Sequence, residues 1–146
     1  MIKVCTSSVI DAPADRVWAR VRDFNGLPGW NPVIRDSRIE ENLASDKVGC
    51  IRHMHTKDGG AIREQLLTLS DRDRQCTYCI LESPMGVVNY IATLKFTPIT
   101  DGNRTFAEWS AEFDCAPERE SELGQFIGQT VFQGGFDALK KHLAGQ

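Results

Sequence analysis

No stretch of the chain approaches the roughly 20 apolar residues of a membrane span. The opening residues Met1-Ile2-Lys3-Val4-Cys5 carry no apolar signal core either. Membrane insertion is therefore not expected, and the expected location is the cytoplasm. Basic residues are thinly spread: 17 Lys and Arg stand against 20 Asp and Glu, a net charge of -3, with no polybasic run. A nucleic-acid or anionic-membrane surface needs a basic field that this composition does not supply.

Signatures of covalent and cofactor chemistry are missing too. There is no Gly-x-Ser-x-Gly elbow, and no Ser or Cys is visibly paired with a histidine. Gly124, Gly128, Gly134 and Gly135 fall inside a helical pattern rather than between a strand and a helix start, so they do not form a phosphate loop. The 5 cysteines are an odd count spread over the chain, which fits free thiols better than a disulfide framework. Cys76 and Cys79 form a CxxC, but in a strand-like run they point to opposite faces, and no second pair follows at finger spacing. No cofactor and no metal are expected.

What is present is one domain's worth of alternating pattern over residues 1–146. Period-two segments read as strands at 3–10, 33–40, 48–55, 61–70, 75–82, 88–97 and 105–114, with helices only near the start and at the end. Pro13 and Asp15 suit the start of a short amphipathic helix carrying Val17, Trp18 and Val21, and a broken segment through Phe24, Leu27, Pro28, Gly29 and Trp30 follows it. Short polar turns at 57–60 and 100–103 join antiparallel neighbours. The class is α+β, a seven-stranded antiparallel sheet wrapped around a long last helix at 117–143.

That helix places Gly124, Gly128 and Gly135 within roughly 40° of one another on its apolar face. Ile127, Val131 and Phe132 flank them. Each glycine costs about 1 kcal/mol of helix stability relative to Ala, so the stripe answers another need. The helix either approaches a sheet backbone closely or roofs a space, and the second is expected. The last two strands agree with a cavity lining, because large aromatics alternate with alanines on one face. A four-residue turn puts Leu94 opposite Trp109 and Tyr90 opposite Phe113. Phe126 and Thr130 on the helix join this set of ligand-facing candidates.

The order strand, Asp11-Ala12-Pro13-Ala14-Asp15-Arg16-Val17-Trp18, Asp23-Phe24, Leu27-Pro28-Gly29-Trp30, six strands with Leu81-Glu82-Ser83-Pro84-Met85-Gly86-Val87, then a long helix, resembles the polyketide cyclase/dehydrase-type branch of the START-like (SRPBCC) superfamily. The resemblance covers essentially the whole chain and implies a helix-grip fold, with two short helices after strand one and a ligand cavity between sheet and last helix. It implies that Trp18, Phe24, Leu27 and Trp30 stand at the cavity mouth, and that the loop with Met85 and Val87 gates it. Members include hydrophobic-ligand carriers, hormone receptors and aromatase/cyclases, so fold alone does not choose among functions.

The polar candidates come from the third and fourth strands. If their turn centres on Asp58 and Gly59, His53 faces Glu64 and His55 faces Ile62. A His53–Glu64 pair in a pocket is an acid/base for enolisation or dehydration, the carboxylate favouring the imidazolium and desolvation opposing it. A four-residue turn at 71–74 then puts Glu64 and Leu66 on one face with Cys79 and Leu81, and beside Tyr90 and Ala92. A single bulge in 83–87 instead turns Tyr78 and Ile80 inward. The leading expectation is a binding domain for a hydrophobic or aromatic small molecule, lipid- or polyketide-like. The alternatives are a cyclase or dehydratase using Glu64 and His53, and an interaction domain with a filled core.

Overall fold

The computed structural model describes residues 1–145. β1 (Ile2–Ile10) leads through Pro13, which caps the next helix, into α1 (Ala14–Val21). Its Ala14, Val17, Trp18 and Val21 face the core. A 3-10 turn at Leu27–Gly29 follows, with Pro28 supplying a helical φ at the start of the turn. The strands are β2 (Ile34–Ile39), β3 (Ile51–Thr56), β4 (Ala61–Ser70), β5 (Gln75–Glu82), β6 (Val88–Ile99) and β7 (Arg104–Asp114). They form one antiparallel seven-stranded sheet in the order β1-β7-β6-β5-β4-β3-β2. The chain has the helix-grip fold, the sheet curving around the C-terminal helical segment.

Alternation sets most of the core: Ala92, Leu94 and Phe96 of β6 and Ala107, Trp109, Ala111 and Phe113 of β7 are buried. Leu94 pairs with Trp109 as the turn length requires. Tyr90 does not pair directly with Phe113, because the ladder shifts between Val88 and Ile91, where Asn89 has a φ of 55°. Their rings still meet, with centroids 5.8 Å apart.

Three register slips separate the structure from the sequence expectation in the other half of the sheet. The β3–β4 loop has three residues, Lys57, Asp58 and Gly59, closed by Thr56 N–H donating to Gly60 O at 2.9 Å, with Gly59 at a φ of 95°. Arg52 therefore faces Glu64, and His53 faces Arg63. In β4 a bulge between Leu66 and Thr68 moves Tyr78 and Ile80, rather than Cys79 and Leu81, onto the face of Leu66 and Glu64. β5 then pairs Tyr78 with Ala92 and Cys79 with Ile91. That β5–β6 pairing is also one residue from the expected one, so for Glu64 the shifts on the two sides of β5 cancel, and it points inward as expected.

The C-terminal helical segment is not one uniform helix. A 3-10 turn at Pro117–Arg119 leads to α2 (Glu120–Gln125), a π-helical stretch at Phe126–Gln133 and α3 (Gly134–Ala144). Thr6 Oγ1 donates to Gly128 O at 2.9 Å inside the π stretch, giving that carbonyl a partner outside the helix. The glycine stripe serves contact as much as space. A Cβ on Gly128 would lie 3.2 Å from Val4 Cγ1, and one on Gly135 would lie 2.6 Å from Trp109 Cζ3. Gly128 lets the helix lie close on β1 and Gly135 receives the Trp109 ring, while a Cβ on Gly124 would make only an ordinary contact with Ile2. The expectation that all three roof a cavity is corrected by these contacts.

Candidate functional site

Between the sheet and the helical segment lies a cavity of about 610 Å³. Its floor comes from alternate residues of neighbouring strands: Arg52 and Met54 of β3, Ile62 and Glu64 of β4, Tyr78 and Ile80 of β5, Tyr90 of β6 and Trp109 of β7. Phe126, Thr130, Val131, Gly134, Gly135 and Ala138 of the helical segment roof it, and Leu27, Val33, Lys57, Asp58 and Met85 belong to the loops around it. The wider π turn carries Thr130 and Val131 to the cavity and leaves Ile127 and Phe132 wholly buried in the core.

One polar cluster stands in this apolar wall. Arg52 and Glu64 are each 7% exposed. Arg52 donates to Glu64 Oε1 from Nε at 2.9 Å and from Nη2 at 2.6 Å, and to the carbonyl of Phe24 from Nη1 at 2.9 Å. Its guanidinium stacks on the Phe24 ring, 3.9 Å from the centroid. Trp109 Nε1 donates to the Tyr78 hydroxyl at 3.1 Å. Burial pushes the Tyr78 phenol well above its ordinary range, with the neighbouring Tyr90 and Glu64 adding to it; Arg52 and the Trp109 hydrogen bond oppose this. Tyr90 is raised too, by burial first and then by Glu64, with the Tyr78 hydroxyl opposing. Both phenols are therefore neutral hydrogen-bonding groups near neutral pH.

Of the sequence candidates, Leu27, Glu64, Met85, Tyr90, Trp109, Phe126, Thr130 and Val131 line the cavity. Trp18, Phe24, Trp30, Leu66, Phe113 and Ile127 do not; all six are buried. Trp18 donates its Nε1 to Asp71 Oδ1 at 2.8 Å and packs on Phe96, while Trp30 lines a smaller cleft beside Lys141. His53 and His55 need correcting more fundamentally. They lie on the outer face, where His55 Nδ1 is 2.7 Å from Asp36 Oδ1 and His53 Nδ1 is 3.6 Å from Glu40 Oε2. The three-residue loop turned them away, so no His53–Glu64 pair exists.

Sequence reasoning missed Arg52 and kept Tyr78 only as an alternative. The one available signal was an arginine alternating with Met54 on a strand otherwise rich in apolar and imidazole groups. Cys76 and Cys79 sit on opposite faces as free thiols; burial pushes Cys76 up to about 11, which marks an unreactive core residue. Among the described residues no group of three or more His, Cys, Asp or Glu is placed to hold a metal ion. No helix among them is long and apolar enough to cross a membrane.

The sequence pattern of the family described as Polyketide cyclase / dehydrase and lipid transport matches residues 1–144. The chain belongs to this family. The curated proteins give no match to it. As a member of the polyketide cyclase/dehydrase and lipid transport family, it is similar to the solved structure of the protein XoxI from Bacillus cereus, at 30% identity and a TM-score of 0.86, covering 97% of this chain and 94% of that one. A Bacillus thuringiensis protein is similar at 30% identity and a TM-score of 0.86, covering 96% and 97%. Norcoclaurine synthase from Thalictrum flavum, solved with dopamine and hydroxybenzaldehyde, shares the fold at 19% identity and a TM-score of 0.77, covering 99% of this chain and 87% of that one.

Proposed function

We propose that this protein binds a hydrophobic or aromatic small molecule, lipid- or polyketide-like, in the cavity between sheet and C-terminal helix. The observation that carries this reading is the cavity itself: about 610 Å³, walled by Met54, Ile62, Ile80, Trp109 and Val131, with its buried charged and phenolic groups, Arg52, Glu64, Tyr78 and Tyr90, on the sheet side. Volumes of this order hold a small organic ligand, and an apolar wall with a few convergent polar groups is how such sites combine affinity with orientation. A filled-core interaction domain has no use for this space.

The test is fluorescence titration with an apolar dye, followed by the same titration on Val131→Trp, which puts an indole into the space. Saturable binding by the parent, lost in the variant at unchanged melting temperature, supports the reading. Absence of saturable binding overturns it. An enzymatic reading, of the cyclase or dehydratase kind, now rests on Glu64 with Tyr78 and Tyr90, since His53 lies outside the cavity. Turnover of a polyketide-like substrate that Glu64→Gln abolishes while affinity persists is its test.

A further inference from the structure

The polar cluster contains an asymmetry with consequences for the ligand. Both Arg52 donors to Glu64 converge on one oxygen, Oε1. Among the described residues no hydrogen bond reaches Oε2, although Glu64 is nearly buried and lines the cavity. Oε2 is not enclosed by protein but accessible from the cavity that Glu64 lines, so a bound molecule that covers it and displaces its water must supply a donor in return. Tyr90, whose hydroxyl is a neutral donor and acceptor, lines the same space.

Charge balance narrows the class of donor. Arg52 and Glu64 together are neutral, and the remaining cavity charges, Lys57 and Asp58, are exposed loop groups. A ligand carboxylate set against Glu64 would leave the cluster with a net negative charge in an apolar wall, and a ligand ammonium would leave a net positive one. Either charge is desolvated without a free counter-ion. A hydroxyl adds a donor and no charge.

Resting on the binding reading above, we infer that the cavity selects neutral apolar molecules bearing a hydroxyl, which donates to Glu64 Oε2 and accepts from Tyr90, and that it discriminates against acids of the same skeleton. A site built to hydrogen-bond a ligand hydroxyl rejects the analogue lacking it, because its own buried group is then left unpaired.

A series of four probes on one skeleton tests this by fluorescence titration: naphthalene, 2-naphthol, 2-naphthoate and naphthylmethylammonium. The parent protein is expected to bind 2-naphthol about tenfold more tightly than naphthalene, with the two ions weaker than naphthalene. In Glu64→Gln the Arg52 charge is left without its anion, so the order of 2-naphthol and 2-naphthoate is expected to reverse. Tyr90→Phe, which keeps the ring, is expected to reduce the naphthol preference to about threefold or less. If Glu64→Gln does not fold, the parent series and Tyr90→Phe decide. Equal or tighter binding of 2-naphthoate by the parent, or no advantage of naphthol over naphthalene, overturns the inference while leaving the binding reading intact. Failure of all four probes to bind overturns both.

Discussion

Arg52 and Glu64 stand directly opposite each other on adjacent antiparallel strands, both nearly buried, joined by two hydrogen bonds into a single carboxylate oxygen. Neither charge has bulk water to fall back on. Removing one partner leaves the other stranded, so Glu64→Leu alone is expected to cost about 3–5 kcal/mol of stability. The double replacement Arg52→Met with Glu64→Leu, which keeps volume and removes both charges, is expected to recover most of that loss. Urea unfolding of the three proteins checks this; a single variant as stable as the parent would show the pair to be solvated.

The chain has 2 tyrosines, and both phenols are raised by burial in the cavity wall. An unfolded tyrosine ionises near pH 10. The unfolded chain therefore loses protons before the folded one, and stability contributed by the two neutral phenols is present below pH 10 and lost as pH rises above it. Tyrosinate absorbance is expected to stay flat as long as the protein is folded and to appear together with unfolding. A native-state rise near pH 10 would sink this assignment.

At the acid end the sign reverses. Asp71 is held below its ordinary value by hydrogen bonds from Arg22 and Trp18, Glu40 by Arg63, and Asp36 by His55 and Arg35. Each group's stability is present above its unfolded value, about 3.8 for the aspartates and 4.5 for Glu40, and is lost as pH falls through the lower folded value. The melting temperature is expected to be flat near neutrality and to drop below about pH 4. In Asp71→Asn that drop is expected to be shallower, measured by thermal melts across the same pH range.

The helix glycines separate by position. A Cβ on Gly124 meets only Ile2 Cγ2 at 3.9 Å, so Gly124→Ala is expected to stabilise by up to about 1 kcal/mol through helix propensity. A Cβ on Gly135 would meet Trp109 Cζ3 at 2.6 Å, so Gly135→Ala forces the ring to move and is expected to destabilise by about 1–3 kcal/mol. Thermal melts rank the two; a shift in Trp109 emission should accompany the second alone.

The half of the site built from β6, β7 and the helix was legible in the sequence. Tyr90, Trp109, Thr130 and Val131 were placed by strict alternation and helical spacing, and the β6–β7 turn set the Leu94–Trp109 register. The half built from β3, β4 and β5 was not. There a single residue decides each face: Gly59 in a left-handed conformation shortens a loop and exchanges His53 for Arg52, and the bulge between Leu66 and Thr68 exchanges Cys79 for Tyr78. A period of two turns every one-residue error into a complete inversion of inside and outside.

Composition and pattern by themselves determined the class of this protein: seven strands with polar turns, short helices after the first, and an amphipathic helix that must lie against the sheet. Those features follow from local spacing, which hydrophobic burial reads along the chain. Only the tertiary structure decided that Arg52 and Tyr78, rather than His53 and Cys79, entered the cavity. Strand register is settled by the packed whole, and it put Arg52 and Tyr78 beside Glu64 and Tyr90 where the sequence had placed a histidine.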